Sequence, residues 1–532
     1  MDGAFRLARL RASCVRATLA SPSEASCVQL AAGFPSSGHG GASVCVSATL
    51  LAPGVAVAPG ALAEALGRLG QHEERHVELL VGKRWRPCRV ASVACLPEAE
   101  RALEEAQRAR WVLGWALTDF EDDIPPPSPR SITSLAVLLY DASADRSSGS
   151  AETRGEVGGK GDSRRSAGVT GTECLEQPLE ASARLQAGAE LAAVCSPYAA
   201  ALGNATAAAF HMRCSVMAPL GMGGGIALLD AACLPGADGA PLFTGRSFAG
   251  VLAAPMRHPA AQAELPLMLP ARQVLDAVRA SLGDDLRAAS LLPTPAAAAA
   301  PAGELRAVRA VHRGELADGR WATAVALSPT RFSLPAHLFG VGQVAQTQAA
   351  RRAPLTLRCS DGRVRHARLV AVWSALDVAL GEVARGEAPL PAWLPLAPQQ
   401  ALRSGQAACI VGYPLFAHRM RAPPSVSRGS LAVAPGRAGC DDLVSTDARL
   451  YEGASGGAVV LQGSGVLAGL ALGNVSHERR GHDARASWAA GPGVLAPLVT
   501  LAVEGMDAQS ARRELDEREA RAVRGEGPLA RL

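Results

Sequence analysis

The fold of this 532-residue chain is decided by the stretch Thr446-Asp447-Ala448-Arg449-Leu450-Tyr451-Glu452-Gly453-Ala454-Ser455-Gly456-Gly457. A serine between glycines, followed by an apolar run, is typical of a nucleophile on a tight turn before a buried strand. Glycine allows the backbone to bend sharply and to approach a substrate closely, because it has no Cβ atom. The backbone N–H groups of Gly453 and Ser455 would then converge on one point and form an oxyanion hole. In a chain rich in alanine and glycine, the same letters also fit an ordinary glycine-rich loop.

Residues 453–457 also fit G-x-S-x-G, the nucleophile elbow of α/β-hydrolases, in which the acid and the histidine follow the serine. Downstream of Ser455 the chain has only two histidines, His477 and His482. No acid lies between the serine and the first of them, and Glu478 could serve only the second. Because a hydrolase normally draws its acid and base from distant positions, this order is disfavoured. The order histidine, acid, serine requires both partners upstream.

Two candidate partners lie upstream of the serine. His337 follows a predicted strand and turn, and Asp377 is the one charged residue in the apolar run 371–380, which predicts an acid inside a strand. A buried carboxylate without a partner is unfavourable, whereas one that accepts a hydrogen bond from histidine Nδ1 is matched. Asp377 comes 40 residues after His337 and 78 residues before Ser455. This spacing suits histidine and aspartate in one β-barrel and serine in a second.

The pattern T-D-A-x-x-x-x-G-x-S-G-G, preceded by VGYP at 411–414 and SVSRG at 425–429, resembles the HtrA/Deg branch of the chymotrypsin-fold serine proteases. The resemblance implies Ser455 as the nucleophile and His337 as the general base and acid. It implies Asp377 as the acid that orients the histidine. The same resemblance implies that the backbone N–H groups of Gly453 and Ser455 form the oxyanion hole.

One position departs from the pattern of that family. Where the family usually has a threonine three residues before the histidine, this chain has Leu334. A second position bears on substrate preference, because trypsin-like folds often set the floor of the P1 pocket six residues before the nucleophile. Here that residue is Arg449. A charged residue is unexpected in a pocket for a small thiol side chain, so the residues themselves do not predict a preference for cysteine at P1.

The first half of the chain contains a degenerate copy of the second half. Residues 229–243 repeat the nucleophile stretch with Asp238 in place of the serine, while Ser134 replaces the acid and Ala61 replaces the histidine. We therefore predict an all-β fold of tandem chymotrypsin-like double β-barrels, the first of them degenerate, with a short helical tail at the C-terminus. The degenerate half would have a structural or substrate-organising role. Chance similarity in a composition-biased chain is the alternative.

Domain boundaries are predicted from changes in composition. The stretch 144–190 has too few apolar residues to offset the entropy of ordering, which predicts a disordered insertion. The predicted segments are an N-terminal segment (1–35), a degenerate trypsin-like domain (36–285) with the insertion 144–190, a Pro/Ala linker (286–304), a trypsin-like serine protease domain (305–505) and a C-terminal tail (506–532).

Composition excludes several classes of function. Hydrophobic residues make up 48% and charged residues 19%, which excludes wholesale disorder. A net charge of +4 predicts no nucleic-acid partner. No run of about 18 residues is apolar without interruption, so we predict no membrane span. The 12 cysteines form neither C-x-x-C pairs nor clusters with histidine, which favours a reducing compartment and predicts no metal. Serine chemistry also needs no organic cofactor.

The chain ends with Ala530-Arg531-Leu532, a small-basic-leucine tripeptide of the S-K-L type that a peroxisomal import receptor reads. Alternating charges over 510–524 predict a solvated helix before it, which would leave the terminus exposed. These features predict the peroxisomal matrix. Four arginines within residues 1–20 also fit a mitochondrial presequence, so the mitochondrion is the alternative compartment.

The two halves together with the final tripeptide resemble the family of peroxisomal leader peptide-processing proteases. The resemblance implies removal of leader peptides from imported peroxisomal matrix enzymes, processing of those enzymes, and cleavage after cysteine. It also implies self-cleavage, for which Cys95 and Cys88 are the candidate positions. The partners would be matrix protein substrates, the import receptor and, as HtrA-type enzymes are commonly oligomeric, further copies of the chain.

Two other functions stay open at this point. The Arg-rich start favours a mitochondrial HtrA-like quality-control protease. The lost triad of the first half and Leu334 favour a protease-fold protein that binds partners without catalysis. An intact Ser455 stretch opposes this second alternative.

Overall fold

A computed structural model of the chain describes residues 27–34, 42–52, 55–59, 76–81, 84–108, 111–113, 128–140, 180–182, 185–195, 210–220, 224–231, 237–245, 247–258, 263–282, 292, 295–296, 302–340, 354–414, 423–433, 442–477, 481–503 and 508–526. Most of the predicted insertion lies outside these ranges, as do Ala61 and the terminal tripeptide Ala530-Arg531-Leu532. The contacts divide the chain into two units, one formed by residues 1–185, 189–214 and 220–298 and the other by 186–188, 215–219 and 299–532.

The first unit is built mainly from antiparallel strands. Its strands are Cys27–Phe34 (β1), Ala42–Ala52 (β2), Val55–Pro59 (β3), His76–Val81 (β4), Arg84–Cys95 (β5), Val112–Leu113 (β6), Ser134–Tyr140 (β7), Glu180–Ser182 (β8), Glu190–Cys195 (β9), Phe210–Leu220 (β10), Ile226–Asp230 (β11), Pro241–Thr244 (β12), Ser247–His258 (β13), Ala263–Pro270 (β14) and Pro295–Ala296 (β15). Its helices are Pro97–Arg108 (α1), Pro129–Thr133 (α2) and Ala271–Leu282 (α3).

These strands form a closed barrel and a second ring. The barrel has the strand order β1-β2-β3-β7-β5-β4. The order β12-β9-β10-β11-β14-β13 closes into a ring because β12 also pairs with β13. The short strands β6, β8 and β15 extend the sheet at β13 and β8.

The second unit contains two closed six-stranded barrels followed by two helices. Its strands are Val311–Leu316 (β16), Trp321–Ala326 (β17), Arg331–Leu334 (β18), Leu355–Arg358 (β19), Val364–Trp373 (β20), Val378–Val383 (β21), Ala407–Gly412 (β22), Ser425–Val433 (β23), Leu443–Thr446 (β24), Ala458–Leu461 (β25), Leu467–His477 (β26) and Gly481–Ala490 (β27). Its helices are Ala302–Ala310 (α4), Pro492–Val503 (α5) and Ala508–Val523 (α6), and short 3₁₀ turns span Ala336–Phe339, Ser374–Leu376 and Gln399–Ala401.

The two units share one connectivity. The second unit closes in the orders β16-β17-β18-β21-β20-β19 and β22-β23-β24-β27-β26-β25, which repeat the two orders of the first unit strand by strand. The prediction of an all-β fold with tandem chymotrypsin-like double barrels and a short helical C-terminal tail is confirmed. None of the helices in the described residues is both long enough and apolar enough to cross a bilayer.

The repeat extends to the turn that carries the serine. Gly239 N–H donates to Leu252, whose N–H donates to Ala240. In the second unit Gly456 N–H donates to Ala471, whose N–H donates to Gly457. The structure therefore places Asp238 at the position that Ser455 occupies in the second unit.

In the first unit, the residue that corresponds to the candidate acid Asp377 lies one position before the predicted one. Ser134 pairs with Cys95 at the start of β7, and Val378 pairs with Trp373 at the start of β21. The residue before the strand is Thr133 in the first unit and Asp377 in the second. Thr133, and not Ser134, is therefore the counterpart of the acid, and its hydroxyl donates to the carbonyl of Pro129.

Three predicted segments differ in part from the structure. Strand β1 begins at Cys27, inside the segment 1–35 that was expected to precede the first domain. Strand β8 lies within the predicted insertion 144–190, and β15 lies within the predicted linker 286–304, where the two pair in parallel. Runs of two or three residues are too short to show a strand period, so tertiary pairing decides their structure.

Leu334, the departure from the family pattern, is a core residue. It is buried in the first barrel of the second unit among Phe332, Leu338 and Leu357. Strand β16, which belongs to the same barrel but does not pair with β18, accommodates it through Gly314, where a Cβ atom would lie 2.7 Å from Leu334 Cδ2. An apolar side chain three residues before His337 is therefore explained by packing.

Candidate active site

The candidate histidine lies on the turn that follows β18. Pro335 ends the strand, and His337 is the second residue of the 3₁₀ turn Ala336–Phe339. Its backbone N–H donates to Asp377 Oδ1 at 2.9 Å, and its Nδ1 atom lies 3.1 Å from Oδ1 and 2.8 Å from Oδ2. Because an ionised carboxylate only accepts hydrogen bonds, Nδ1 carries a proton. The Nε2 atom of the neutral ring is then the one that can accept a proton.

The candidate acid does not lie inside a strand, and that prediction was wrong. Strand β20 ends at Trp373, and Asp377 follows the 3₁₀ turn Ser374–Leu376 with φ 51°. It is the one non-glycine residue with positive φ in the described part of the chain. The left-handed region is uncommon for side chains with a Cβ atom, although aspartate enters it more readily than most. Such backbone strain concentrates at functional sites, and here it turns the carboxylate toward the histidine.

The aspartate controls the electrostatics of the histidine. Its hydrogen bond raises the pKa of His337 above the usual value, while burial acts in the opposite direction. The two side chains are 43% and 28% exposed, so solvent reaches both of them. The pair therefore favours a protonated imidazole next to a carboxylate, which is the charge state that a general base reaches after it accepts a proton.

The candidate nucleophile lies on a tightly bonded turn between β24 and β25. Ala454 N–H donates to Tyr451, and Gly457 N–H donates to Ala454, each at 2.9 Å. Gly456 has φ 81°, and a Cβ atom there would overlap the carbonyl oxygen of Thr323. Glycine is therefore required after Ser455 for both its conformation and its close contact.

The turns of the histidine and the serine pack against each other. A Cβ atom at Gly456 would lie 2.5 Å from Pro335 Cδ, two residues before His337. Thr323 in β17 donates its N–H to the Ser455 carbonyl at 3.2 Å. The structure thus brings His337 and Asp377 from one barrel next to the serine turn of the other.

The backbone around the serine leaves two N–H groups available. The N–H groups of Ala454, Gly456 and Gly457 all donate to carbonyls, whereas those of Gly453 and Ser455 donate to none within the described residues. Gly453 has φ 86°, a conformation that favours glycine. Two unpaired N–H groups on one turn are what an oxyanion hole requires.

The serine hydroxyl does not form a hydrogen bond with the histidine in this conformation. Within the described residues, Ser455 Oγ makes one hydrogen bond, donated to the Leu472 carbonyl at 2.8 Å. Attack on a carbonyl requires rotation of this hydroxyl toward His337. Catalytic hydrogen bonds often form only when substrate is bound.

The T-D-A part of the motif fixes the entry to the turn. Thr446 Oγ1 donates to the Ser430 carbonyl at 2.8 Å and accepts from Ala448 N–H at 3.1 Å. The Asp447 carboxylate accepts from the N–H and the hydroxyl of Ser430. Arg449, at the expected floor of the P1 pocket, donates to Tyr451 Oη at 3.4 Å. These bonds tie the segment before the nucleophile to strand β23.

Sequence reasoning missed Thr323 as a residue of this site. Its hydroxyl donates to the Gly453 carbonyl at 3.1 Å and accepts from Tyr413 N–H at 2.9 Å. It therefore fixes the peptide between Gly453 and Ala454. This peptide is next to the Gly453 N–H, one of the two N–H groups available for an oxyanion hole. The signal in the sequence is small: a single threonine in the otherwise apolar run 321–327.

One family of known proteins is similar to part of the second unit. A family model described as a trypsin-like peptidase domain matches residues 322–470, which include all three candidate catalytic residues. None of the curated proteins compared with the sequence matches it.

Two solved structures are similar to part of the chain. The HtrA-type protease AlgW with a tripeptide is 21% identical with a TM-score of 0.30, and the match covers 38% of this chain and 62% of AlgW. A serine-to-alanine variant of AlgW with a tripeptide is 19% identical with a TM-score of 0.31, covering 38% and 63% of the two chains. The chain thus spans about three fifths of the length of these proteases.

The two cysteines predicted as self-cleavage positions lie in β5 of the first unit. Cys88 pairs with Val77 on one side and with Tyr140 on the other. Cys95 ends the strand, and its Sγ atom lies 3.5 Å from Ser134 Oγ. Both backbones are paired within the barrel, so cleavage at either position requires local opening of β5.

No group of three or more His, Cys, Asp or Glu side chains in the described ranges is placed to hold a metal ion. The terminal tripeptide, predicted as the targeting signal, lies outside those ranges.

Proposed function

We propose that this chain is a serine endopeptidase with His337, Asp377 and Ser455 as its catalytic residues. The observation that carries the proposal is the hydrogen bond from His337 Nδ1 to the Asp377 carboxylate, 2.8 Å long, beside the serine turn. It is supported by the two available N–H groups on that turn and by the match to a peptidase family model.

In the proposed mechanism, the Ser455 hydroxyl turns from Leu472 toward His337 and attacks the carbonyl carbon of the scissile peptide. Nε2 of His337 accepts the hydroxyl proton as the Oγ–C bond forms. The N–H groups of Gly453 and Ser455 stabilise the negative oxygen of the tetrahedral intermediate. His337 then gives its proton to the leaving amine as the C–N bond breaks. Water repeats the cycle on the acyl-enzyme and releases the serine.

Two matched variants test this proposal with a fluorophosphonate probe and a peptide substrate. The wild-type chain should be labelled at Ser455, and Ser455→Ala should lose both labelling and hydrolysis. Ser464→Ala is the control, because Ser464 is an exposed serine on the turn between β25 and β26. Undiminished hydrolysis by Ser455→Ala would refute the assigned nucleophile.

We further propose that the substrates are imported peroxisomal matrix enzymes, from which the protease removes leader peptides and which it processes. The support is the resemblance of the two halves to that protease family and the terminal tripeptide Ala530-Arg531-Leu532. The import receptor would bind the tripeptide, and the chain would also cut itself near Cys95 or Cys88. Imaging the full chain and a chain without the tripeptide tests whether the tripeptide is the peroxisomal targeting signal. A punctate peroxisomal signal that survives the deletion would contradict it.

One observation favours a second function, binding without catalysis. The Ser455 hydroxyl donates to Leu472 and not to the histidine. If this conformation persisted with substrate bound, the chain would hold extended peptides without cutting them. The fluorophosphonate probe separates the two functions, because it labels only a serine that a base has activated.

A further inference from the structure

Helix α6 lies outside the matched peptidase domain, yet it contacts the turn that leads into the candidate acid. Glu519 Oε1 accepts a hydrogen bond from Ala375 N–H at 3.3 Å. Asp516 Oδ1 accepts one from the indole N–H of Trp373 at 2.9 Å. Trp373 and Ala375 belong to the junction between β20 and Asp377. Two carboxylates of the C-terminal helix therefore hold both the start and the middle of this turn.

The helix itself is anchored on the peptidase domain. Ala511, Leu515 and Ala522 are buried along one face of α6. Arg518 pairs with Asp442, the residue before β24, and also with Glu514 of α6 at 3.0 Å. The prediction of a solvated helix was correct for the helix but wrong for this face. A buried face and an ion pair give α6 a fixed position from which Glu519 can act.

The turn needs an external acceptor because its backbone is strained. Asp377 is held at φ 51°. This unfavourable conformation persists only where contacts from surrounding residues hold it in place. Burial raises the pKa of the Glu519 carboxyl, and hydrogen bonds from the N–H groups of Ala375 and Ser374 partly offset the rise. The carboxylate thus accepts bonds from the first two residues of the 3₁₀ turn.

We propose that Glu519, supported by Asp516, is a positioning residue that holds the Asp377 turn in the geometry required by His337. This inference rests on the proposed function, since it assigns a role to α6 in aligning the same triad. It makes the C-terminal helix part of the scaffold that positions the candidate triad.

The test compares three variants of the full chain. Glu519→Ala removes the acceptor, Glu519→Gln keeps an acceptor oxygen, and Glu517→Ala is the control. Glu517 is exposed on the same helix and makes no hydrogen bond or ion pair among the described residues. We expect Glu519→Ala to lower kcat about ten- to hundredfold with little change in KM, because small misplacements of catalytic groups have effects of this size. Glu519→Gln should recover most of the loss, and Glu517→Ala should match the wild type.

A second measurement does not depend on hydrolysis. The pKa of His337 can be followed by NMR in chains with labelled histidine, and it should fall in Glu519→Ala because the Asp377 hydrogen bond weakens. A merely structural role would lower the melting temperature without moving this pKa. An unchanged His337 pKa together with an unchanged kcat in a folded Glu519→Ala chain would overturn the inference.

These readouts separate this inference from the proposed function. If the wild-type chain neither hydrolyses peptides nor reacts with the probe, but the His337 pKa still falls in Glu519→Ala, the peptidase proposal fails and the positioning role stands. If Glu519→Ala does not fold, Glu519→Gln and Asp516→Asn provide the same comparison. For each we expect a small fall in the His337 pKa relative to the wild-type chain, and no fall in either would refute the role.

Discussion

His337 Nδ1 lies 2.8 Å from Asp377 Oδ2, and the histidine backbone N–H donates to the other carboxylate oxygen at 2.9 Å. The carboxylate therefore fixes the ring and the backbone of the same residue. A carboxylate cannot donate a hydrogen bond, so the neutral ring holds its proton on Nδ1. Nε2 is left as the acceptor, and this is the atom that a serine hydroxyl would need.

Replacing Asp377 with asparagine should therefore remove most activity while leaving the fold intact. The amide N–H₂ group can donate to Nδ1, which would move the ring proton to Nε2 and leave no base for the serine. A loss of about 10⁴-fold in kcat is the magnitude known for this substitution in a serine protease triad. Asp318→Asn is the control, because Asp318 pairs with Arg320 on an exposed turn. Steady-state kinetics of both variants test this, and near-normal kcat in Asp377→Asn would contradict the role of the acid.

The pH dependence of activity follows from the raised pKa of His337. The base must be neutral to accept the serine proton, so kcat/KM should rise with pH through a pKa above the usual value of about 6.5. In Asp377→Ala this rise should move to lower pH, because the principal cause of the raised pKa is gone. A pH–rate profile of each enzyme checks both statements. An acidic limb at the same pH in the two enzymes would show that another group controls it.

The same shift predicts a pH-dependent contribution to stability. A histidine with a raised pKa in the folded state stabilises the fold fully below its unfolded pKa, and the contribution is lost as pH rises through its folded pKa. The difference in melting temperature between the wild-type chain and Asp377→Ala should therefore be larger at pH 5 than at pH 9, two values chosen on either side of about 6.5. A constant difference across this range would indicate that the ion pair contributes nothing.

Much of the fold was predictable because the motif at Ser455, with a histidine and an acid upstream of it, fits two barrels better than the alternative α/β-hydrolase order. The internal repeat was also visible in the sequence, since Asp238 replaces the serine in a stretch of similar composition. The backbone position of Asp377 was not predictable. Its run is apolar on both sides and reads as one strand, and only the tertiary hydrogen bond with His337 explains the break at Trp373 and the left-handed residue.

Other parts of the site could not be predicted for a different reason. The alternating charges of α6 match a solvated helix, because the apolar side chains that it buries are few and two of them are alanines. Its contact with the Asp377 turn joins Ala375 to Glu519, 144 residues later in the chain. Hydrogen bonds over such separations leave no periodic signal in the sequence.

Thr323 provides a prediction for the link between the barrels. Thr323→Val removes a hydroxyl that bonds both Gly453 and Tyr413. The two backbone groups lose their partners, which should lower the free energy of unfolding by about 1–3 kcal/mol. We also expect kcat to fall by about tenfold, because the serine turn, which carries the two oxyanion-hole N–H groups, loses a fixed contact. Thr323→Ser should restore both properties, and Thr330→Val on an exposed turn is the control. Denaturant unfolding and kinetics measure the two effects, and normal kcat in a destabilised Thr323→Val chain would limit Thr323 to a role in folding.

Gly456 and Gly463 form a matched pair for testing the close packing at the serine turn. Both have φ near 80°, but a Cβ atom at Gly463 meets nothing within 4 Å, whereas one at Gly456 overlaps Thr323 and lies 2.5 Å from Pro335. Gly463→Ala should therefore be destabilised only by its backbone conformation, about 1–2 kcal/mol, and should keep its activity. Gly456→Ala has the same conformational penalty and must also separate the serine turn from the histidine turn. We expect it to be destabilised further and to lose probe labelling at Ser455. Because the conformational term is common to both variants, equal stability and equal labelling would show that the two turns do not need to touch.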